Sequence, residues 1–123
     1  MERCEILCIR AEELVRLNDQ RERYDVAVTR ALANPAVAFE LVLPFVKIGG
    51  KALFWASGID WDKKEELEKI AAILGAKYSS EINYILSENE KQAERKIVVL
   101  EKINPTDLRF PRRTGIPQKR PLL

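Results

Sequence analysis

Apolar runs alternate along this chain with segments whose apolar residues recur at helical intervals. Residues 5–9 form a short apolar run that reads as a strand. It gives way to Arg10-Ala11-Glu12-Glu13, where acids in a first turn favour a helix that runs to about Leu17. Residues 24–32 are mostly apolar with β-branched positions, interrupted near the end by the polar pair Thr29-Arg30. Polar signals at Asp19-Gln20 and Asn34-Pro35 bracket that run. The pattern predicts a buried central strand of a parallel sheet with a ligand-facing carboxyl end. Asn34-Pro35 then predicts a helix start, with Asn as cap and proline in the first turn. Ala36, Val37, Phe39, Leu41, Val42 and Leu43 make that helix apolar on several sides, so it should be well buried, and Pro44 should kink or end it.

Farther along, Gly49-Gly50 reads as a turn and residues 51–56 as a strand, with Ser57-Gly58 at its carboxyl edge. Asp62-Lys63-Lys64-Glu65 has the spacing of a capping box. Leu67, Ile70, Ala71 and Leu74 repeat at helical intervals behind it, and Gly75 supplies a stop. Residues 78–86 and 96–103 read as strands joined by a polar loop, 87–93, and so as an antiparallel pair. From Asn104 onward the chain holds four of its six prolines and should be irregular. The alternation predicts one α/β domain: a parallel sheet with helices on both faces, closed by an antiparallel hairpin.

Composition changes this picture little. The 123 residues are 33% charged and 46% hydrophobic, ordinary for a globular domain, with a net charge of +2. The distribution of charge says more. From Pro105 onward five basic residues (Arg109, Arg112, Arg113, Lys119, Arg120) face one acid, Asp107, so this tail carries +4 and the rest −2. Such a tail either contacts a polyanion or is a solvated terminus. Cys4 and Cys8 are too far apart along a strand to bridge easily and have no histidine to complete a zinc site, so they read as reduced core thiols of a cytosolic protein. Met1 is followed by charges rather than a signal-like apolar run, and no apolar stretch is long enough to span a membrane. The chain has no histidine, which excludes schemes that need an imidazole base. Arg30, at the carboxyl end of a predicted strand, sits where ligands bind in open α/β sheets; it also fits an ordinary loop cation.

Three segments carry a resemblance to a known family. They are Arg10-Ala11-Glu12-Glu13, Tyr24-Asp25-Val26-Ala27-Val28-Thr29-Arg30-Ala31, and the distinctive tail from Phe110-Pro111-Arg112-Arg113 through Lys119-Arg120-Pro121-Leu122. In that order they resemble the bacterial small-subunit ribosomal RNA methyltransferase G family, also called glucose-inhibited division protein B. The resemblance implies the C-terminal part of a class I S-adenosylmethionine-dependent methyltransferase, a Rossmann-like sheet ending in an antiparallel hairpin and an irregular basic tail. It implies methylation of guanine N7 in 16S ribosomal RNA, with S-adenosylmethionine as cofactor, in the cytoplasm. The family's glycine-rich strand-loop has no counterpart before the first predicted strand, so the chain looks like the C-terminal half of such an enzyme. Residues 1–104 would be a partial methyltransferase domain and 105–123 a basic, proline-rich tail. The partners implied are 16S rRNA or the small ribosomal subunit, and a missing N-terminal half.

By the same resemblance Ala11 and Glu12 would lie against the adenine of the cofactor, and Arg30, whose fork of donors suits a carboxylate or phosphate, would hold the methionine carboxylate or orient the RNA, the cofactor-side role being favoured. Without the resemblance, Glu12 and Glu13 read as helix-start acids. Arg112, Arg113, Lys119 and Arg120 would be phosphate contacts, unless the tail packs back on the body; both can hold. Phe54, Trp55 and Tyr84 are candidates to stack a splayed base, though strand aromatics are more often core. Many family members have a lysine where this chain has Ser57; Lys51 or Lys63 is a candidate replacement. Guanine N7 is already a lone-pair nucleophile, so no general base and no catalytic side chain is assigned. The competing reading is a non-catalytic RNA- or partner-binding fragment whose cofactor site is lost.

Overall fold

A computed structural model describes residues 4–17, 19–30, 34–56, 59–88 and 91–122. In chain order the elements are α1 (Ala11–Leu14), β1 (Tyr24–Thr29), α2 (Pro35–Val42), β2 (Val46–Ala56), α3 (Lys64–Ile73), β3 (Ala76–Glu88), β4 (Lys91–Lys102) and α4 (Ile116–Lys119). Turns of 3-10 helix precede β2 (Leu43–Phe45) and α3 (Ile59–Asp62). The strands form one sheet in the order β1-β2-β4-β3. β1 and β2 are parallel, and β4 runs antiparallel to both β2 and β3. The α/β class and the closing hairpin are as expected. The hairpin is longer than its polar residues suggested, pairing without a wide loop from Ala76↔Lys102 out to Glu88↔Lys91. Cross-strand partners satisfy that backbone, so polarity alone does not make residues 87, 88 and 91–93 a loop.

The core lies on one face of the sheet. Ala52, Phe54 and Ala56 of β2 and Val98 and Leu100 of β4 pack against Phe39 of α2 and Leu67, Ile70 and Ala71 of α3. Phe39, Phe54 and Trp61 form an aromatic cluster with ring centroids 4.9–6.0 Å apart. At the start of α2 the Asn34 side chain accepts from the N–H groups of Ala36 and Val37. Pro44 ends that helix as expected, passing it into the 3-10 turn. Gly75 closes α3 at φ +91, and its carbonyl accepts from Ile103 and Asn104.

The opposite face departs from expectation. Val26 and Val28 of β1 align with Lys51 and Leu53 of β2, and Leu53 and Trp55 align with Val99 and Ile97 of β4. Among the described residues no helix covers this face, and Val26 and Val28 are 55% and 59% exposed. β1 is therefore an outer strand with an uncovered apolar side rather than a buried central one. Residues 5–9, expected as a strand, are exposed and irregular, and Cys4 and Cys8 are exposed free thiols rather than core ones. A strand needs a hydrogen-bonded neighbour, and the described sheet offers this segment none. α1 is likewise shorter than expected, ending at Leu14 rather than near Leu17.

Two local readings also change. Gly49-Gly50 lies inside β2, not in a turn before it. The register between β1 and β2 shifts there, and a Cβ on Gly50 would stand 2.6 Å from the Asp25 carbonyl oxygen, so the glycine permits a close backbone approach. Asp62 does not cap α3; its carboxylate accepts from Lys96 of β4 at 3.1 Å, and the helix begins without a side-chain cap.

Candidate functional site

Arg30 follows the last residue of β1 at the carboxyl end of the parallel pair and is exposed. With Val28, Thr29 and Trp55 it lines an open depression of about 310 Å³. Here the indole of Trp55 and a permanently charged guanidinium line one depression, a combination suited to a flat or anionic group. Of the three aromatics considered for stacking, Trp55 is half-buried in this depression and Tyr84 is half-buried on β3. Phe54 is wholly buried in the core and has no face to offer. Ser57 lies outside the described residues, as does Ala31 of the second resembling segment.

The segment 103–122 is not a free tail. It folds back across the helical face, with Thr106, Phe110, Pro111 and Pro117 buried. Arginines from early in the chain grip its carbonyls. Arg21 donates to the carbonyls of Phe110 (2.7 Å), Thr106 (2.9 Å) and Asp107 (3.0 Å), and Arg16 donates to that of Pro111 (3.0 Å). The Thr106 hydroxyl donates to the Leu74 carbonyl at 2.6 Å. Below it, the buried Lys102 donates to the carbonyls of Leu43 (2.7 Å) and Val46 (2.9 Å) and pairs with Glu22 at 3.4 Å. Burial lowers the Lys102 ammonium to about 8, against the opposing pull of Glu22.

This framework sorts the candidate residues. Arg112 is committed internally: its Nη2 donates to Glu40 Oε1 at 2.7 Å, and its Nε to Oε2 at 3.0 Å. Its backbone N–H donates to the same carboxylate at 2.8 Å. Glu40 is the single charged residue of the apolar α2 and is fully buried, and the charge-assisted bonds raise the Arg112 pKa further. Arg113, Lys119 and Arg120 are exposed, and with Arg112 and Ile116 they line an open basic depression of about 510 Å³. Arg109 is also exposed, its guanidinium over the Phe110 ring. The tail is thus a built ridge whose free cations face solvent.

Glu12 is buried as well, at 2% exposure. Its carboxylate accepts from the Gly115 N–H and from Arg10 Nη2, both at 3.1 Å. Burial alone would raise its pKa; the backbone N–H groups of Glu12 and Gly115 and the charge of Arg10 outweigh that and hold the carboxyl below its ordinary value. The group that the resemblance sets against adenine is therefore turned into the tail contact. Ala11, half-buried at the first position of α1, keeps a backbone N–H with no intrahelical acceptor.

Sequence reasoning passed over Glu40, Arg16, Arg21 and the Lys102–Glu22 pair. A lone acid in an apolar helix was the one available signal, since a buried carboxylate demands a partner. The arginines gave none, because their partners are backbone carbonyls distant in sequence. Among the described residues no cluster suits a metal ion, and no helix is long and apolar enough to cross a membrane.

No protein-family model matches the chain. A solved structure of a Thermoplasma acidophilum protein proposed to be a methyltransferase superposes with a TM-score of 0.55 at 14% identity. It covers 71% of this chain and 41% of that one, and bears on the fold alone. Curated relatives are closer in sequence. Ribosomal RNA small subunit methyltransferase G of Dictyoglomus thermophilum is 40% identical over 119 residues, 97% of this chain and 48% of that protein. The protein of the same name from Fervidobacterium nodosum is 37% identical over 123 residues, 99% of this chain and 55% of its own length. The chain thus spans about half the length of the curated relatives it matches, and over that span it is similar to proteins named ribosomal RNA small subunit methyltransferase G.

Proposed function

We propose that this chain is the C-terminal, RNA-facing portion of an S-adenosylmethionine-dependent methyltransferase that modifies guanine N7 in 16S ribosomal RNA of the small subunit, in a cytoplasmic setting. The observation that carries this reading is the basic ridge: Arg113, Lys119 and Arg120 exposed on a segment bonded to the body, while Arg112 is engaged by Glu40. Cations fixed in this way position a phosphate backbone without reading its sequence. In this reading 1–104 is the partial methyltransferase domain and 105–123 the basic tail that carries the ridge.

The cofactor fits only in part. Arg30 has no side-chain partner among the described residues and Ala11 offers a backbone donor, but the Glu12 carboxylate is engaged elsewhere. The described glycines serve the β2 register, the α3 stop and the tail turn, so none of them builds a backbone cradle. When bound, the cofactor supplies an activated methyl group on a sulfonium. In this reading Arg30 would orient an anionic group and Trp55 would offer a stacking surface, while the ridge, on the helical face, holds the RNA so that N7 is presented in line. No proton need leave the base before attack, so the absence of histidine costs nothing.

The competing reading, a non-catalytic RNA- or partner-binding fragment, gains support from the same incomplete cofactor wall. The uncovered face around Val28, Leu53 and Trp55 and the free edge of β1 are where we seat the polypeptide corresponding to the relatives' remaining length. Titration calorimetry with S-adenosylmethionine separates the two readings. The chain alone should bind it poorly. Adding the part of the Fervidobacterium protein that this chain does not match should give micromolar binding, weakened at least tenfold by Arg30→Ala. No binding in the mixture, or binding indifferent to Arg30, favours the non-catalytic reading.

A further inference from the structure

We propose that Glu12 is a positioning residue for RNA: it ties the turn at Ala11 to the basic ridge, and the ridge presents its cations only while that tie is made. This rests on the RNA-facing reading above. An acid beside an RNA-binding ridge is unfavourable for its charge alone, because it offsets the cations that attract phosphate. Glu12 is nevertheless buried, whereas its neighbour Glu13 is exposed. Its contacts explain the placement. The carboxylate takes the N–H of Gly115, the residue at φ +88 from which α4 begins. Arg10 spans the same junction, donating to Glu12 at 3.1 Å and reaching Gln118 of α4 at 3.5 Å. Arg16 closes it from the other side, donating to the Glu12 carbonyl at 2.6 Å and the Pro111 carbonyl at 3.0 Å. Lys119 and Arg120 follow directly from the turn that Gly115 sets, and Arg113 lies two residues before it.

One consequence is linkage. α1 has only four residues, and this junction ties it to α4. A ligand that orders Ala11 and Glu12 therefore orders the ridge, and RNA on the ridge favours the ordered turn in return.

The test exploits an inverted sign. Binding of a fluorescein-labelled single-stranded RNA of mixed sequence is followed by anisotropy over a series of salt concentrations. Removing an exposed acid, Glu13→Ala, should leave affinity unchanged or slightly higher. Glu12→Ala also removes a negative charge, yet should weaken binding about tenfold. It should also flatten the log-affinity against log-salt slope by about 2, the release expected for three lost phosphate contacts on a single strand. Glu12→Gln, which keeps an oxygen for the Gly115 N–H, should recover most of both. Amide hydrogen exchange should accelerate at residues 112–120 in Glu12→Ala and stay unchanged in β2 and β4. Unchanged or tighter RNA binding by Glu12→Ala, or faster exchange across the whole sheet, overturns the proposal. If the triple variant Arg113→Ala/Lys119→Ala/Arg120→Ala binds RNA as the parent does, the RNA-facing reading fails and this inference with it. If the triple variant weakens binding and Glu12→Ala does not, this inference alone fails.

Discussion

Replacing Arg112 by alanine should destabilise the protein far more than replacing its neighbour Arg113. Arg112 gives Glu40 two short charge-assisted bonds, at 2.7 and 3.0 Å, and Glu40 has no solvent exposure. Stripping one partner from a buried ion pair costs about 3–5 kcal/mol, because the remaining charge is stranded. Two features reduce that here. The Arg112 side chain is 26% exposed, so water reaches one end of the pair. Its backbone N–H, at 2.8 Å, survives the substitution and still serves the carboxylate. The expected loss is about 2–3 kcal/mol. Arg113 is exposed and its side chain has no partner among the described residues, so Arg113→Ala should stay within about 0.5 kcal/mol. Urea unfolding followed through tryptophan fluorescence measures both, since Trp61 sits in the core beside α2. Equal midpoints for the two variants would refute the assignment of Arg112 to the framework and return it to the RNA-facing set.

Other outcomes follow from the same contacts. Lys102 is lowered to about 8 in the folded protein, so between pH 8 and its ordinary value near 10.5 the unfolded chain holds the extra proton and stability contributed by this group rises with pH. Relative to Lys102→Met, the parent should gain about 2 kcal/mol from pH 8 to pH 10 in urea midpoints taken at each pH; a flat or falling difference contradicts the burial described. Gly50→Ala should cost about 2–3 kcal/mol, because the new Cβ meets a backbone oxygen that cannot yield. Gly115→Ala, with open space around it and only a positive φ to oppose it, should cost about 1 kcal/mol. Equal thermal shifts for the two alanine variants would contradict that distinction.

Residues whose roles are settled locally were legible in the sequence. Asn34-Pro35 announced α2, Gly75 announced the end of α3, and the two apolar runs near the end announced an antiparallel pair. Arg30 was placed correctly at a strand's carboxyl end, because an abrupt polar pair after β-branched residues marks that position. What was misread depended on partners elsewhere in the chain. Whether residues 24–29 form a central or an outer strand is decided by neighbours, not by their own apolar pattern. Asp62 has the composition of a cap, but Lys96, distant in sequence, claims its carboxylate. Gly49-Gly50 looks like a turn, and only the close passage of Asp25 shows it to be a register shift within a strand. Arg112 and Arg113 are identical in type and adjacent, and nothing local separates them; the carboxylate that does is 72 residues from Arg112.

The measurement that bears most directly on the proposed role is transfer of a radiolabelled methyl group from S-adenosylmethionine to 16S rRNA in small ribosomal subunits. The chain is mixed with the part of the Fervidobacterium relative that it does not match, and chemical cleavage at N7-methylguanine locates the label. Label at one guanine in the complete mixture, reduced at least tenfold by Arg30→Ala and absent when either polypeptide is omitted, is the predicted result. Folded, associated polypeptides that transfer no methyl group, or that label the RNA regardless of Arg30, would contradict it.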